Sequence, residues 1–302
     1  MALGQVLVTG ASGFVGGHLV DRALGRGLRP VAAAGDLRRP EVARRAVAQA
    51  GPSGVVHLAS AAAPGTVGAL ADDALMAANV LAAVADIAPE TPVLVAGSAA
   101  QYGMGSTHPM PEDHALAPVG AYGASKLALE RACLSHRPPR VIWARSFNHV
   151  GPSQPVTAPV AAWARQVAEA ERGGAARVRT GRLDVVRDLL DVRDVADAYL
   201  ALLESAAEGP VNVCSGRPLA LSAVIDRLAA LSTAEVTVEL DPALVRAVDP
   251  PCVVGDPARL HALTGWRPAI DLEESLLDVL EEWRGRARGV ERGLERPAAV
   301  GR

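Results

Sequence analysis

The first half of the chain alternates between two patterns of hydrophobic and polar positions. Short aliphatic runs of strand length are separated by segments in which apolar residues recur at helical spacing. These patterns predict strands at 5–10, 55–60, 92–98 and 140–148, and helices at 14–27, 40–49, 72–88 and 122–134. Strands joined by helices in this order predict a parallel sheet with helices on both faces. Ligands of such sheets bind at the carboxyl ends of the strands.

The second half is less regular. Its patterns predict helices at 158–172, 191–206, 220–231 and 271–284, and short strands at 177–180, 211–214 and 235–240. Residues 285–302 are rich in Arg, Gly and Glu and have little apolar surface to bury, which predicts a flexible tail. No apolar run approaches the roughly 20 residues that a membrane-spanning helix needs. We therefore expect no membrane partner.

Composition and charge narrow the class of protein. The 302 residues carry a formal net charge of −3, so we expect no nucleic-acid partner. The cysteines Cys133, Cys214 and Cys252 are far apart and form no CxxC pair, which predicts neither a disulfide framework nor a metal site. The first strand begins soon after Met1 without a basic segment, so no signal peptide is predicted. A cytoplasmic protein is expected.

A glycine-rich turn joins the first predicted strand to the first predicted helix. Gly10, Gly13 and Gly16 have GxxGxxG spacing within the segment QVLVTGASGFVGG. Such a turn lets the backbone approach a pyrophosphate, and the N–H groups at the start of the helix then bind the anion. Glycines also form ordinary turns. Because this triplet lies directly between a strand and a helix, its position favours a dinucleotide site.

A second group of residues suggests proton-transfer chemistry. Tyr122 and Lys126 are four residues apart at the start of a predicted helix, so both lie on one helical face. An ammonium group stabilises a nearby phenolate and makes a tyrosine a better proton donor at neutral pH. Ser98 ends a predicted strand, where its hydroxyl would polarise a carbonyl oxygen. A surface Tyr and Lys without function is the alternative interpretation.

Taken together, these motifs resemble the extended short-chain dehydrogenase/reductases of the NAD-dependent epimerase/dehydratase family. The resemblance rests on the glycine turn, Ser98 followed by AAQYG, Tyr122-GAS-Lys126, and Asn79-Val80, and it extends to about Arg284. It implies an α/β fold, a Rossmann-type doubly wound parallel sheet with a smaller C-terminal α/β substrate-binding domain. Residues 1–150 would form the NAD(P)-binding domain, and 151–284 a nucleotide-sugar-binding part interleaved with it.

The resemblance also implies roles for individual residues. Tyr122 would donate the proton, Lys126 would bind the nicotinamide ribose and tune Tyr122, and Ser98 would orient the carbonyl. Asn79 would support the helix and a water network, although it equally fits a polar position on a helix. The implied cofactor-binding residues are Gly10, Ser12, Gly13, Phe14, Val15, Gly16, Asp36, Leu37, Leu58, Ala59, Asn79, Tyr122 and Lys126.

Within this family, later segments resemble the GDP-4-keto-6-deoxy-D-mannose reductases. The segments are ARSFNHVGPSQ (144–154), VVRDLLDVRDVADAYLALL (185–203), VNVCSG (211–216) and residues 246–268. By matching position, Asn148, Arg187 and Arg246 would bind the nucleotide and its diphosphate, and His149 would meet the substrate. An ion pair of Arg187 with Asp188, Asp191 or Asp194 is an alternative, as is a structural role for His149.

Two alanines separate this chain from related enzymes that move protons on the sugar ring. Related 4,6-dehydratases have acidic residues just after the catalytic hydroxyl, where this chain has Ala99 and Ala100. Related 3,5-epimerase/reductases have a cysteine at the position of Ala100. Only hydride chemistry remains. We expect reduction of the C4 keto group of an NDP-4-keto-6-deoxyhexose, GDP- or dTDP-linked, to an NDP-6-deoxyhexose in deoxysugar biosynthesis.

The choice of cofactor depends on a shortened segment. Between Gly27 and Gly35 only seven residues remain, where relatives have a second strand, a loop and a short third strand. Asp36 resembles the acid that contacts adenine. Arg38 and Arg39 would either bind a 2′-phosphate or be solvated. We expect NADPH, as biosynthetic ketoreductases commonly use it, with NAD as the alternative.

Two alternative functions and the oligomeric state remain open. A nucleotide-sugar 4-epimerase shares Ser98, Tyr122 and Lys126 but keeps NAD tightly bound. A protein that senses NAD(P) without catalysis would usually lack the Tyr or the Lys. The resemblance also implies a homodimer formed by the helices at 72–88 and 122–134.

Overall fold

The computed structural model describes residues 3–61, 66–171, 175–246 and 248–287, and these form two units. The first unit comprises residues 1–149, 185–219 and 247–270, and the second comprises 150–184, 220–246 and 271–302. Two segments that the sequence placed in the substrate-binding part, 185–219 and 247–270, therefore belong to the first unit. Residues 288–302 of the predicted flexible tail lie outside the described residues, and 285–287 are helical.

The elements follow the predicted alternation of strands and helices. The helices are α1 (Phe14–Gly25), α2 (Pro40–Ala50), α3 (Val67–Ile87), α4 (Gly120–Leu134), α5 (Pro159–Ala170), α6 (Val192–Glu204), α7 (Leu221–Ala230), α8 (Ala258–Thr264) and α9 (Leu272–Ala287). The strands are β1 (Gln5–Thr9), β2 (Arg29–Ala32), β3 (Gly54–His57), β4 (Val93–Ala96), β5 (Val141–Ser146), β6 (Asn148–Val150), β7 (Ala175–Thr180), β8 (Val186–Asp191), β9 (Gly209–Val213), β10 (Pro218–Ala220), β11 (Glu235–Leu240) and β12 (Cys252–Val253).

A parallel sheet of six strands forms the centre of the first unit. Its order is β2-β1-β3-β4-β5-β9, and every pair is parallel. Alternate residues of a strand point to opposite faces, so Val6 and Val8 pack in a core with α1 and α6. Leu7 packs on the other face with α2, α3 and α4. This is the predicted doubly wound sheet, and it brings the carboxyl ends of β1, β3 and β4 to one edge.

The shortened segment contains a strand that the sequence left unassigned. β2 spans Arg29–Ala32 and pairs with β1, which makes it the edge strand of the sheet. The chain then turns directly into α2, so no third strand precedes that helix. β2 is defined by its parallel pairing with β1, which hydrophobic periodicity alone does not show.

Helix α3 is longer than predicted. It begins at Val67, and its N-cap Thr66 accepts a hydrogen bond from the N–H of Ala69. Among the described residues, α3 is the one helix long and apolar enough to span a membrane by length and composition, contrary to the sequence expectation. Its residues Ala77, Val80, Leu81 and Val84 are nevertheless core residues on the sheet. The same composition therefore serves burial against the sheet.

Smaller sheets complete the two units. β8 pairs with β10, β12 and β6, and β12 runs parallel to it. In the second unit, β7 and β11 form a parallel pair, and helices α5, α7 and α9 pack on one another. Arg284 of α9 donates hydrogen bonds to Glu171. The strand β8 and the helix α8 were not predicted from the sequence.

Candidate functional site

The glycine turn after β1 is too tightly packed for side chains. Gly10 has a φ of +66°, and a Cβ there would lie 2.8 Å from the backbone nitrogen of Ala59. A Cβ on Gly16 would lie 2.1 Å from the carbonyl oxygen of Gly10. Gly13 is the N-cap of α1 and provides no side-chain cap. The first N–H groups of α1 are thus available to an anion, and Ser12 and Gly13 are exposed beside them.

A buried hydrogen-bond cluster at the carboxyl ends of β1 and β3 supports this turn. Thr9 Oγ1 accepts hydrogen bonds from the N–H groups of Leu58 and Ala59, both at 3.1 Å. Its own proton is then available to His57 Nδ1, 2.8 Å away. Burial and, to a smaller extent, the nearby Lys126 charge lower the pKa of His57 to about 4, while Asp73 opposes the shift. A neutral histidine therefore holds the ends of β1 and β3 together.

Ser98 lies just beyond the carboxyl end of β4, as predicted. It caps a short 3₁₀ helix, Ala99–Tyr102, and its Oγ accepts a hydrogen bond from the N–H of Ala100. That helix contacts the first turn of α4 closely, because a Cβ on Gly123 would lie 2.6 Å from the carbonyl oxygen of Ala100. Gly123 follows Tyr122, so this packing brings the Ser98 segment against the helix that carries Tyr122.

A buried polar network fixes the same two elements further along. Glu130 of α4 accepts hydrogen bonds from Gln101 at 2.5 Å and from Arg145 at 2.6 and 2.9 Å. Arg145 also donates to the hydroxyl of Tyr102 at 3.0 Å. A buried charge pair of this kind is stable only when its remaining polar atoms are also bonded. Gln101 and Tyr102 thus hold the AAQYG segment against α4 and β5.

Tyr122 and Lys126 occupy one face of α4, as their spacing predicts. The Lys126 Nζ lies 5.8 Å from the centroid of the Tyr122 ring. Tyr122 is 39% exposed, whereas Lys126 is buried. An accessible hydroxyl beside a buried ammonium is the arrangement that proton donation to a bound carbonyl requires.

A carboxylate that the sequence did not single out completes the site. Asp73 of α3 lies 3.1 Å from the Lys126 Nζ, and the two side chains are 12% and 9% exposed. It also accepts hydrogen bonds from Ser60 Oγ at 3.0 Å and from the N–H of Ala61 at 2.7 Å. One signal was available: Asp73 shares a helical face with the core residues Ala77, Val80 and Val84, where a charge needs a partner.

The segment after β2 is charged and exposed. Arg38 donates to both carboxylate oxygens of Asp36 at 2.8 Å and to Asp72 at 3.2 Å. These contacts lower the pKa of Asp36 to about 2, chiefly through the hydrogen bond from Arg38. Asn79 donates to the carbonyl oxygens of Leu37 and Arg38, both at 2.9 Å. Asn79 therefore holds this turn, and its implied support of a water network stays a prediction.

Leu37 is another residue for which the resemblance implies cofactor binding. Its side chain is buried in the core with Val42 and Val47. Only its backbone is therefore available to a cofactor. Leu58 and Ala59 are half-buried at the end of β3, next to the glycine turn, and Phe14 and Val15 are half-buried at the start of α1.

The four predicted substrate residues lie in different parts of the chain and have different surroundings. Asn148 is exposed and His149 is half-buried, both at the start of β6 in the first unit. Arg187 forms an ion pair with Asp249 and donates to the carbonyl oxygen of Pro250 at 2.7 Å. The expected partners are engaged elsewhere, Asp191 with Arg193 and Asp188 with the N–H groups of residues 215, 216 and 255. Arg246 is exposed in the second unit.

Arg187 thus has the alternative, structural contact that the sequence allowed, but with Asp249. Its substrate role, and those of Asn148, His149 and Arg246, stay predictions. Among the described residues no group of three or more His, Cys, Asp or Glu side chains is arranged to hold a metal ion.

The turn and the catalytic side chains fit a dinucleotide cofactor. The glycine turn leaves no room for a Cβ at Gly10 or Gly16 and presents N–H groups at the start of α1, as a pyrophosphate requires. Ser98, Tyr122 and Lys126 lie beyond the carboxyl ends of the strands that follow. In a doubly wound sheet this edge is where ligands bind.

Known proteins agree with this assignment. The chain is 36% identical to GDP-6-deoxy-D-mannose reductase from Pseudomonas aeruginosa over 300 residues, covering 94% of this chain and 98% of that protein. A structure of RMD from Pseudomonas aeruginosa complexed with NADPH has a TM-score of 0.82 and 32% identity, over 93% of this chain and 99% of that one.

A more distant structure is UDP-glucose 4-epimerase from Thermus thermophilus in complex with NAD. Its TM-score is 0.79 and its identity 27%, over 93% of this chain and 99% of that one. The model of the NAD dependent epimerase/dehydratase family matches residues 6–214. That range contains the glycine turn, Ser98, Tyr122 and Lys126. The chain belongs to the NAD dependent epimerase/dehydratase family.

Proposed function

We propose that the chain is an NADPH-dependent 4-ketoreductase that converts an NDP-4-keto-6-deoxyhexose to an NDP-6-deoxyhexose. The observation that carries the proposal is which side chains the 3₁₀ helix after Ser98 has. Ala99 and Ala100 place neither a carboxylate nor a thiol beside the catalytic hydroxyl. The similarity to a GDP-6-deoxy-D-mannose reductase and to an NADPH complex supports both the substrate class and the cofactor.

The proposed chemistry assigns each catalytic side chain one task. When bound, the reduced nicotinamide supplies a hydride to the carbonyl carbon. Ser98 donates a hydrogen bond to the carbonyl oxygen as negative charge develops there. The Tyr122 O–H bond breaks as its proton passes to that oxygen, and the Lys126 ammonium stabilises the phenolate that remains. Binding of the nucleotide half orients the sugar for these steps.

The first test is oxidation of NADPH and of NADH with GDP- and dTDP-linked 4-keto-6-deoxyhexoses. Oxidation of NADPH with one of them is expected and would identify the nucleotide. No oxidation, together with interconversion of two nucleotide hexoses without added cofactor, would contradict the reductase and indicate a 4-epimerase.

Substitution of the catalytic residues tests the mechanism. Tyr122→Phe is expected to lower kcat by about 10²- to 10⁴-fold, and Ser98→Ala by about 10²-fold, with cofactor affinity retained. Ser135→Ala is the matched control, because Ser135 is exposed at the far end of α4. Full activity of Tyr122→Phe would overturn the mechanism.

For assembly, we propose a homodimer formed by α3 and α4. The support is an exposed small or apolar stripe on each helix, with Ala71, Leu75 and Ala82 on α3 and with Ala124 and Ala128 on α4. Such stripes allow close helix packing. Sedimentation of Leu75→Glu and Ala128→Glu is expected to show monomers. If both variants sediment as the parent does, the result would contradict this interface.

We also propose a cytoplasmic location. The support is chemical: Cys133, Cys214 and Cys252 are all free thiols in the structure. Cell fractionation of the producing organism checks it, and recovery outside the cytoplasm would contradict it.

A further inference from the structure

Several titratable groups surround Tyr122 and Lys126 in the described residues. Tyr122 and Cys133 on α4, His57 on β3 and Asp73 on α3 face Lys126, and Tyr199 on α6 faces Tyr122. Burial lowers the pKa of His57 to about 4 and raises the pKa of Cys133 to about 12. Both are therefore uncharged near neutral pH. Within this set, Lys126 and Asp73 are the charges that act on Tyr122.

Lys126 is buried too deeply to remain charged without a partner. Its side chain is 9% exposed, and an unpaired ammonium in such a place is strongly disfavoured. The Asp73 carboxylate at 3.1 Å provides the partner. Asp73 is in turn held by Ser60 Oγ and by the N–H of Ala61, so its position does not depend on Lys126. The pair therefore orients Lys126.

The pair also changes what Lys126 does to Tyr122. A lone ammonium stabilises the phenolate and favours loss of the tyrosine proton. A carboxylate bound to that ammonium offsets part of this field. Tyr122 then keeps its proton to a higher pH, and the protonated form is the one that reduction of a carbonyl consumes.

We propose that Asp73 is a positioning residue that orients Lys126 and, by partly neutralising it, holds Tyr122 in the proton-donating form that a reductase needs. The consequence for catalysis rests on the proposed function, whereas the electrostatic effect on Tyr122 does not. Asp73 touches neither substrate nor cofactor in this role; it acts through Lys126.

The test is a spectroscopic titration of the phenolate, which needs no substrate. The chain has three tyrosines. Burial raises the pKa of Tyr102 and of Tyr199 to about 12. A phenolate transition below that range that is absent in Tyr122→Phe is assigned to Tyr122.

Asp73→Asn is expected to move this phenolate transition to lower pH by roughly one unit, because it removes the negative charge that partly offsets the Lys126 ammonium. Asp73→Glu keeps the charge and is expected to restore the parent transition. Asp86→Asn is the matched control, since Asp86 lies on the same helix in an exposed ion pair with Arg44. A transition in Asp73→Asn that is unchanged or moved to higher pH overturns the proposal.

A second pair of variants covers the case in which Asp73→Asn does not fold. Lys126→Met is compared with Lys126→Met/Asp73→Asn, which has no unpaired buried charge. The double variant is expected to form its phenolate at lower pH than Lys126→Met, and coincident transitions would contradict the proposal.

Kinetics then connect the effect to catalysis. In Asp73→Asn, the alkaline limb of the kcat profile for ketone reduction is expected to move to lower pH with the phenolate, while KM for the nucleotide sugar changes little. A shifted phenolate without any reductase activity would contradict the proposed function alone. A fall in kcat with an unmoved pH profile would indicate a purely structural role for Asp73.

Discussion

The turn after β1 and the turn after β2 both lead from a parallel strand into a helix, but different contacts hold them. The first is built from glycines and rests on the buried, neutral pair of Thr9 and His57. The second is exposed and is held by Arg38 between Asp36 and Asp72. Steric fit defines the first turn, and charges screened by solvent define the second. We therefore expect the first turn to be more sensitive to substitution and less sensitive to salt concentration than the second.

The largest effect is expected from Gly16→Ala. Its Cβ would lie 2.1 Å from the carbonyl oxygen of Gly10, so the turn must open. Overpacking of this kind costs about 2 to 3 kcal/mol, and we expect the Kd for NADPH, measured by titration calorimetry, to rise roughly 100-fold.

Gly25→Ala is the matched control. Gly25 ends the same helix, and a Cβ there meets nothing within 4 Å. Its Kd is expected to equal that of the parent. Equal affinity in Gly16→Ala would show that the first turn is not the sterically defined one.

A smaller effect is expected from acid acting on the support of the first turn. Burial sets the pKa of His57 at about 4 in the folded protein, against 6.5 when unfolded, so the folded state binds fewer protons between these values. The stability that His57 contributes is complete above the unfolded pKa and is lost as pH falls towards the folded one.

We expect this residue to lower the free energy of unfolding by about 2 kcal/mol between about pH 6.5 and about pH 5. Urea unfolding of parent and His57→Asn at the two pH values measures the difference, which should be smaller in the variant. His108→Asn, at an exposed position, is the control. An identical pH dependence of parent and His57→Asn would contradict the burial of a neutral histidine.

The smallest effect concerns the second turn. If Arg38 contacts a 2′-phosphate, Arg38→Ala is expected to raise KM for NADPH about three- to tenfold and leave KM for NADH nearly unchanged. Asp72→Asn releases Arg38 from one carboxylate and is expected to lower KM for NADPH about twofold. Both effects should shrink in high salt.

Arg44→Ala is the control for the loss of a positive charge alone. Arg44 of α2 is exposed and pairs with Asp86 of α3. A change of KM in Arg38→Ala that is equal for both cofactors would show that this turn does not distinguish them.

The two turns also show which features of the fold could be predicted from the sequence. GxxGxxG between a strand and a helix is a local pattern, and the structure has the turn at Gly10–Gly16 with the close backbone contacts that the pattern implies. β2 was left unassigned because a four-residue edge strand has no distinctive periodicity. The carboxylates around Arg38 come from different elements, since Asp36 precedes α2 and Asp72 lies on α3.

The predicted catalytic residues show the same division. Tyr122 and Lys126 were predictable because helical geometry alone puts residues four apart on one face. Asp73 is 53 positions from Lys126, and only the packing of α3 against α4 brings the two together. Likewise the alternative considered for Arg187 was an ion pair with a nearby aspartate, whereas the aspartate it contacts in the structure, Asp249, is 62 positions away.

By itself, the sequence determined the alternation of strands and helices, the glycine turn and the Ser98, Tyr122 and Lys126 motif, because these depend on periodicity and on spacing within single elements. Tertiary structure alone decided which distant charges meet: Lys126 with Asp73, Arg187 with Asp249, and Arg38 with Asp72. The physical reason is that a buried or clustered charge is satisfied by whichever opposite charge the packed elements bring within reach, and separation along the chain does not encode that distance.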